Sequence, residues 1–148
     1  CSVEDNGIYQ LDCNGNISRH IYTDGVVFSM FEDSDGVFWV GINGKGLYSF
    51  NRKKGKLELK YPLQGDFSIR CITEDKHKNL YAAILGEGIL QYHLPTGKYQ
   101  LLSRKNPIKG ENNITNYWII SILCDSEDRI WFGHFGNISC MIPGTKGF

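Results

Sequence analysis

One stretch of this chain occurs more than once, and that repetition restricts the fold more than any single residue does. "FEDSDGVFWVGINGKGLYSFN" at 31–51 aligns without a gap on "TEDKHKNLYAAILGEGILQYH" at 73–93. Asp33 falls on Asp75, Trp39 on Tyr81, Gly41 on Ala83, Gly44 on Gly86, Gly46 on Gly88 and Phe50 on Tyr92. A third copy starts at "LCDSEDRIWFGHFG", 123–136, with Asp125 and Trp131 in the same two places. It comes eight residues late, and the surplus lies in "NPIKGENNITNYW", 106–118. "GIYQLDCNGNISRHIY" at 7–22 resembles the second half of a copy.

Each copy is built from apolar and aromatic runs of four to seven residues, separated by Gly, Asp and Asn clusters. Helical periodicity is almost absent, so the chain reads as all-β. A period near 42 with four short strands per copy is the arithmetic of a β-propeller blade. The expected division is a half blade at 1–25, a blade at 26–67, a blade with an extended connection at 68–117 and a partial blade at 118–148. That makes one segment of three to three and a half four-stranded antiparallel blades. In the first full copy the strands are 26–31, 37–42, 46–51 and 56–62.

In the second of these strands Phe38, Val40 and Ile42 share one face, and Val37, Trp39 and Gly41 the other. Both faces are apolar, which predicts a strand covered on both sides. A large ring beside a small residue recurs as Trp39/Gly41, Tyr81/Ala83 and Trp131/Gly133. All three rings are therefore expected in the core. Ser29, Cys71 and Ser121 form a matching column of small residues.

The acidic glycine stretch superficially resembles a calcium loop. It lacks the other ligands such a loop needs, so "EDSDG" reads as a turn with a capping aspartate. No helix follows "GKG" or "GEG", which excludes a phosphate loop. The five cysteines lack zinc spacing and read as packed thiols. The four histidines form no triad with Ser, Cys and Asp. No cofactor and no metal is therefore expected. With 16 basic and 16 acidic side chains, nothing marks a nucleic-acid binder. No apolar run is long enough to cross a bilayer, so this segment is expected to make no membrane contact. No signal peptide is visible, which reads as a mature or excised chain.

The lengthened connection is the best candidate for binding. Asn113, Asn116, Tyr117 and Trp118 supply amides and rings suited to a sugar. In a propeller this connection and the turns between second and third strands share one face, around the channel. Asn43, Lys45, Glu87, His134 and Phe135 are expected there. Arg70 stands out because its column otherwise holds Phe28 and Ile120.

"MFEDSDGVFWVGINGKGLYSF" and "ILCDSEDRIWFGHFG" resemble the two-component regulator propeller repeat, with its acidic turn, W-x-G core and paired glycines. The second copy departs, with Lys78 for the turn glycine and Tyr81-Ala82-Ala83 for the W-x-G core. The resemblance implies the periplasmic sensor region of a Bacteroides-type hybrid two-component system, often with seven-bladed propellers. It implies an oligosaccharide or other small-molecule ligand, and a parent chain carrying a histidine kinase. On this reading the segment is a non-catalytic, ligand-binding sensor propeller. A propeller enzyme of lyase or lactonase type and a pure protein-interaction propeller are the rivals. An open arc of blades leaves apolar flanks, so the isolated segment is expected to self-associate or to dock on the rest of its parent.

Overall fold

In the computed structural model the residues described are 7–103 and 118–142, and they contain thirteen strands and no helix. The chain forms two compact units, Cys1–Ser68 and Ile69–Phe148.

The first unit holds a two-stranded sheet, β1 (Gly7–Leu11) and β2 (Ile17–Tyr22). Its four-stranded sheet runs in order β3 (Val27–Glu32), β4 (Phe38–Ile42), β5 (Gly46–Asn51) and β6 (Lys56–Pro62). The second unit repeats that meander with β7 (Ile69–Glu74), β8 (Asn79–Ile84), β9 (Gly88–His93) and β10 (Lys98–Ser103). A three-stranded sheet follows, β11 (Ile119–Cys124), β12 (Ile130–His134) and β13 (Ile138–Met141). All pairing is antiparallel between sequence neighbours. The lengthened connection lies outside the described residues, apart from Trp118.

The repeated aspartate acts as a clip. Asp33 Oδ1 accepts the backbone N–H of Asp35 at 3.0 Å and of Val37 at 2.8 Å, while Oδ2 accepts Trp39 Nε1–H at 2.8 Å. Asp75 does the same for His77, Asn79 and the Tyr81 hydroxyl. Asp125 does it for Glu127, Arg129 and Trp131. One carboxylate thus closes each turn and fixes the ring six residues on. Satisfying the turn N–H groups is what this residue type offers over an apolar one. The third residue after each aspartate takes a left-handed backbone: Gly36 (φ +74°), Lys78 (φ +64°) and Asp128 (φ +67°). Glycine adopts that conformation freely; lysine and aspartate adopt it at a cost.

The small column is paired across strands. Ser29 opposes Gly41, Cys71 opposes Ala83 and Ser121 opposes Gly133. A Cβ on Gly133 would come within 2.2 Å of Ser121 Oγ, so this column has no room for a larger pair.

In the first unit Trp39, Val40, Ile42, Leu47 and Phe50 are buried, and the Arg19 guanidinium lies 5.5 Å above the Phe50 ring. In the second unit Tyr81, Ala83, Ile89 and Leu102 form one core with Ile119, Ile130, Phe132 and Met141 of the three-stranded sheet. The Cys124 N–H donates to Thr73 Oγ1 at 3.2 Å, stitching β11 to β7. At the turns, Asp128 Oδ1 accepts the Lys76 N–H at 2.8 Å.

Trp131 corrects the sequence expectation. Trp39 and Tyr81 are buried, but Trp131 is 36% exposed and its cross-strand neighbour Leu123 is 61% exposed. The face of β12 that carries Phe132 meets the preceding sheet. The face that carries Trp131 meets no further sheet among the described residues. Both faces of the strand are apolar, yet only one is covered here.

Candidate functional site

Each first strand carries an irregularity one or two residues in. The register shifts between Val27 and Ser29, between Ile69 and Cys71, and between Ile119 and Ser121. The residues left over are Phe28, Arg70 and Ile120, and all three are exposed. A bulge inserts one extra residue into the ladder and re-aims its side chain. That is the physical reason for the odd column containing Arg70, and the sequence alignment alone did not show it.

Asn43 and Lys45 lie in the turn between β4 and β5 of the first unit. Asn43 Nδ2 reaches Asp66 Oδ1 at 3.5 Å. Lys45 Nζ donates to Asp24 at 2.7 Å, and that hydrogen bond, followed by the charge of Asp24, raises its pKa. The remaining candidates belong to the second unit. Glu87 is half-buried in the turn between β8 and β9. Trp118 is 52% exposed and directly precedes β11. Phe135 is 66% exposed and directly follows β12. His134 differs from its expected place on an open turn. It is the last residue of β12, 6% exposed, with Nε2 3.0 Å from Ser139 Oγ. Asn113, Asn116 and Tyr117 lie outside the described residues.

A cavity of about 320 Å³ lies at the opposite end of the second sheet, lined by Asn79, Gln91, His93, Lys98, Tyr99 and Gln100. A chain of hydrogen bonds runs inward from it. The Gln100 amide donates to Gln91 Oε1, the Gln91 amide to the Tyr81 hydroxyl at 2.9 Å, and Tyr81 to Asp75 at 3.0 Å. Burial, reinforced by the Asp75 charge, pushes the Tyr81 phenol far above its ordinary range. Tyr81 is therefore a neutral donor. Sequence reasoning missed this network because glutamines on β9 and β10 carry no motif.

The electrostatics do not favour nucleophilic chemistry. Burial pushes the Cys71 thiol up to about 12 and the Cys124 thiol up to about 11, the latter helped by Asp128. A thiol held protonated is a poor nucleophile. Among the described residues no three His, Cys, Asp or Glu side chains converge as metal ligands. None of the helices needed to cross a membrane occurs among them either. The arrangement offers amides, exposed rings and one buried imidazole, which suits binding of a polar ligand.

The family described as two component regulator propeller matches residues 21–44 and 113–136. No curated protein matches the chain. Among solved structures, the extracellular domain of a hybrid two-component system of B. thetaiotaomicron, BT4673, superposes with a TM-score of 0.75 at 22% identity. It covers 92% of this chain and 19% of that one. A second such domain, BT3049 of the same organism, gives a TM-score of 0.71 at 25% identity over 92% of this chain and 17% of that one. PorZ, a surface component of the type-IX secretion system of Porphyromonas gingivalis, gives 0.63 at 15% identity over 94% of this chain and 20% of that one. The chain thus spans about a fifth of each of these structures.

Proposed function

Because the chain carries two-component regulator propeller repeats, we propose that it is a piece of the extracytoplasmic sensor propeller of a hybrid two-component signalling protein. In this reading it lies on the periplasmic side of the inner membrane and binds a ligand without transforming it. The ligand is an oligosaccharide. The observation that carries the reading is the family match at 21–44 and 113–136. The likeness to extracellular domains of two hybrid two-component systems supports it. The thiols held protonated and the exposed rings agree with binding rather than catalysis.

The binding residues in this reading are Trp118, Tyr117, Asn116 and Asn113 on the lengthened connection, with Arg70, Glu87 and His134 of the same unit as further contacts; Asn43 is a candidate contact of the first unit, taken by itself. Exposed rings stack on the C–H faces of sugars, and amides bond their hydroxyls. The experiment uses the full-length parent sensor and a reporter of its output. A glycan panel should reveal an inducer, and Trp118→Ala with Tyr117→Ala should abolish the response. An unchanged response in that double variant would remove this connection from the site. Activation by a periplasmic protein, with no glycan acting, would favour the protein-interaction reading instead.

A further inference from the structure

One face of the second four-stranded sheet changes character along its length. Ala83, Ile89 and Leu102 lie side by side across β8, β9 and β10, and the three-stranded sheet covers them. The next two rungs of that face are Tyr81–Gln91–Gln100 and Asn79–His93–Lys98. Tyr81 is sealed, and the other five line the cavity of about 320 Å³. Tyr99 lies between Lys98 and Gln100 and sends its ring to the opposite face, against Tyr92. The cavity thus sits where a polar grid of side chains runs out from under an apolar cover.

One buried carboxylate orients that grid. Asp75 Oδ2 accepts from the Tyr81 hydroxyl at 3.0 Å and from Asn79 Nδ2 at 2.8 Å. Tyr81 therefore accepts from Gln91 Nε2, and Gln91 Oε1 from Gln100 Nε2. Each amide has its nitrogen committed inward. Gln100 Oε1 and Asn79 Oδ1 are left as acceptors with no partner among the described residues. Such atoms suit hydroxyl donors.

The charge of the grid departs from its sibling. In the first four-stranded sheet Glu58 stands where Gln100 stands here, and Lys56 where Lys98 stands. Glu58 accepts from Asn51 Nδ2 at 3.0 Å and from Lys54 Nζ at 2.9 Å, so that face supplies its own carboxylate. In the second sheet the acid has become an amide. No carboxylate lines the cavity, and Lys98 has no ion-pair partner among the described residues.

We propose that this cavity binds an anionic sugar, a polyhydroxylated ring carrying one negative group. Lys98 meets the anion, while Gln100 Oε1 and Asn79 Oδ1 accept from ring hydroxyls. The volume falls at the small end of ligand sites, about 300–1,000 Å³, and suits one sugar unit rather than a long chain. This is a second site, at the other end of the sheet from the lengthened connection. It rests on the sensing reading only in that the segment binds without transforming; the ligand class comes from the cavity's own acceptors and its single cation.

The test follows the side-chain amide resonances of Asn79 and Gln100 by NMR, in the chain itself. Methyl β-glucuronide should move them to saturation. Methyl β-glucoside, which lacks the charge, should bind about fivefold more weakly, the scale of one exposed ion pair. Acetate, which lacks the hydroxyls, should leave them in place. Glucose 6-sulfate run beside the glucuronide identifies which anion is preferred. Lys98→Gln at an exposed position should make the glucuronide and the glucoside equal, and Gln100→Glu, which restores the first sheet's residue, should abolish glucuronide binding. Resonances that neither anionic sugar moves, a response to acetate equal to that of the glucuronide, or a charge preference that survives Lys98→Gln would each overturn the proposal. The sensing reading fails differently: the parent's output ignores every glycan while these amides still respond.

Discussion

Tyr81 and Trp131 sit at the same place in two successive sheets, and their fates differ. Both rings hydrogen-bond the aspartate six residues earlier, Tyr81 at 3.0 Å and Trp131 at 2.8 Å. Both lie beside a small residue on the second strand of their sheet, Ala83 and Gly133. Yet Tyr81 is fully buried and Trp131 is 36% exposed. The three-stranded sheet closes over Tyr81 with Ile119, Ile130, Phe132 and Met141. Trp131 has the Arg129 guanidinium 5.6 Å from its ring and, among the described residues, no further sheet over it. The clip is local and survives without a neighbour. Burial is supplied by the next sheet.

The sharpest test of that difference is truncation of each ring, read by urea denaturation. Tyr81→Ala should cost about 3–5 kcal/mol, as for a large aromatic removed from a core. Trp131→Ala should cost only about 1–2 kcal/mol, from a half-covered ring and its cation–π contact. Equal losses would break the comparison and mean that the Trp131 face is covered in solution. Light scattering at micromolar concentration then identifies a second copy as the cover, and Leu123→Glu should disperse it.

The clip itself comes next. Asp75→Ala strands two backbone N–H groups and the buried Tyr81 hydroxyl, and should cost about 2–3 kcal/mol. A loss below half of that would show that water replaces the carboxylate.

Asp125 sharpens the contrast by pH. Its hydrogen bond from Trp131, then those from Arg129 and Glu127, hold its carboxyl well below the ordinary value of 3.8. A depressed folded-state pKa stabilises the fold above the unfolded value, and that contribution fades as pH falls through the folded one. Melting curves should therefore show an acid limb below about pH 4 that Asp125→Asn reduces. An identical limb in the variant would assign it to other carboxylates.

The smallest effect is expected in the turn. Lys78 holds φ +64° where Gly36 holds φ +74°. Lys78→Gly should gain about 0.5 kcal/mol, because glycine takes this conformation without a steric cost. A loss would show that the weak Lys78–Glu74 ion pair, 3.9 Å apart, outweighs the backbone term.

Much of this molecule is local, and local features were legible. The 42-residue match placed strands at 26–31, 37–42, 46–51 and 56–62, against β3 to β6 at 27–32, 38–42, 46–51 and 56–62. The aspartate turn, the small column and the two-faced second strand follow from spacing and alternation, which each copy carries in its own residues. The candidate site was legible only as a choice of residues. Trp118 could be picked out because the third copy comes late. The reason Arg70 is exposed could not, because a bulge depends on how two strands shift against each other. His134 was selected for a turn and turned out to be a buried strand end. Aligning it with Ile42 and Ile84 marks the substitution, but not its consequence.

The sequence by itself determined the repeat, the all-β class, the turn chemistry and the likeness of two stretches to the two component regulator propeller. These depend on contacts within a few residues, which spacing records directly. Tertiary structure alone decided that Tyr81 is covered while Trp131 is not. It alone decided that Phe28, Arg70 and Ile120 turn outward, and that His134 Nδ1 is buried beside Ser139 without a second partner. The reason is that burial and register are set by what lies across a strand or on the next sheet. Three copies of one motif write the same local pattern and meet different neighbours.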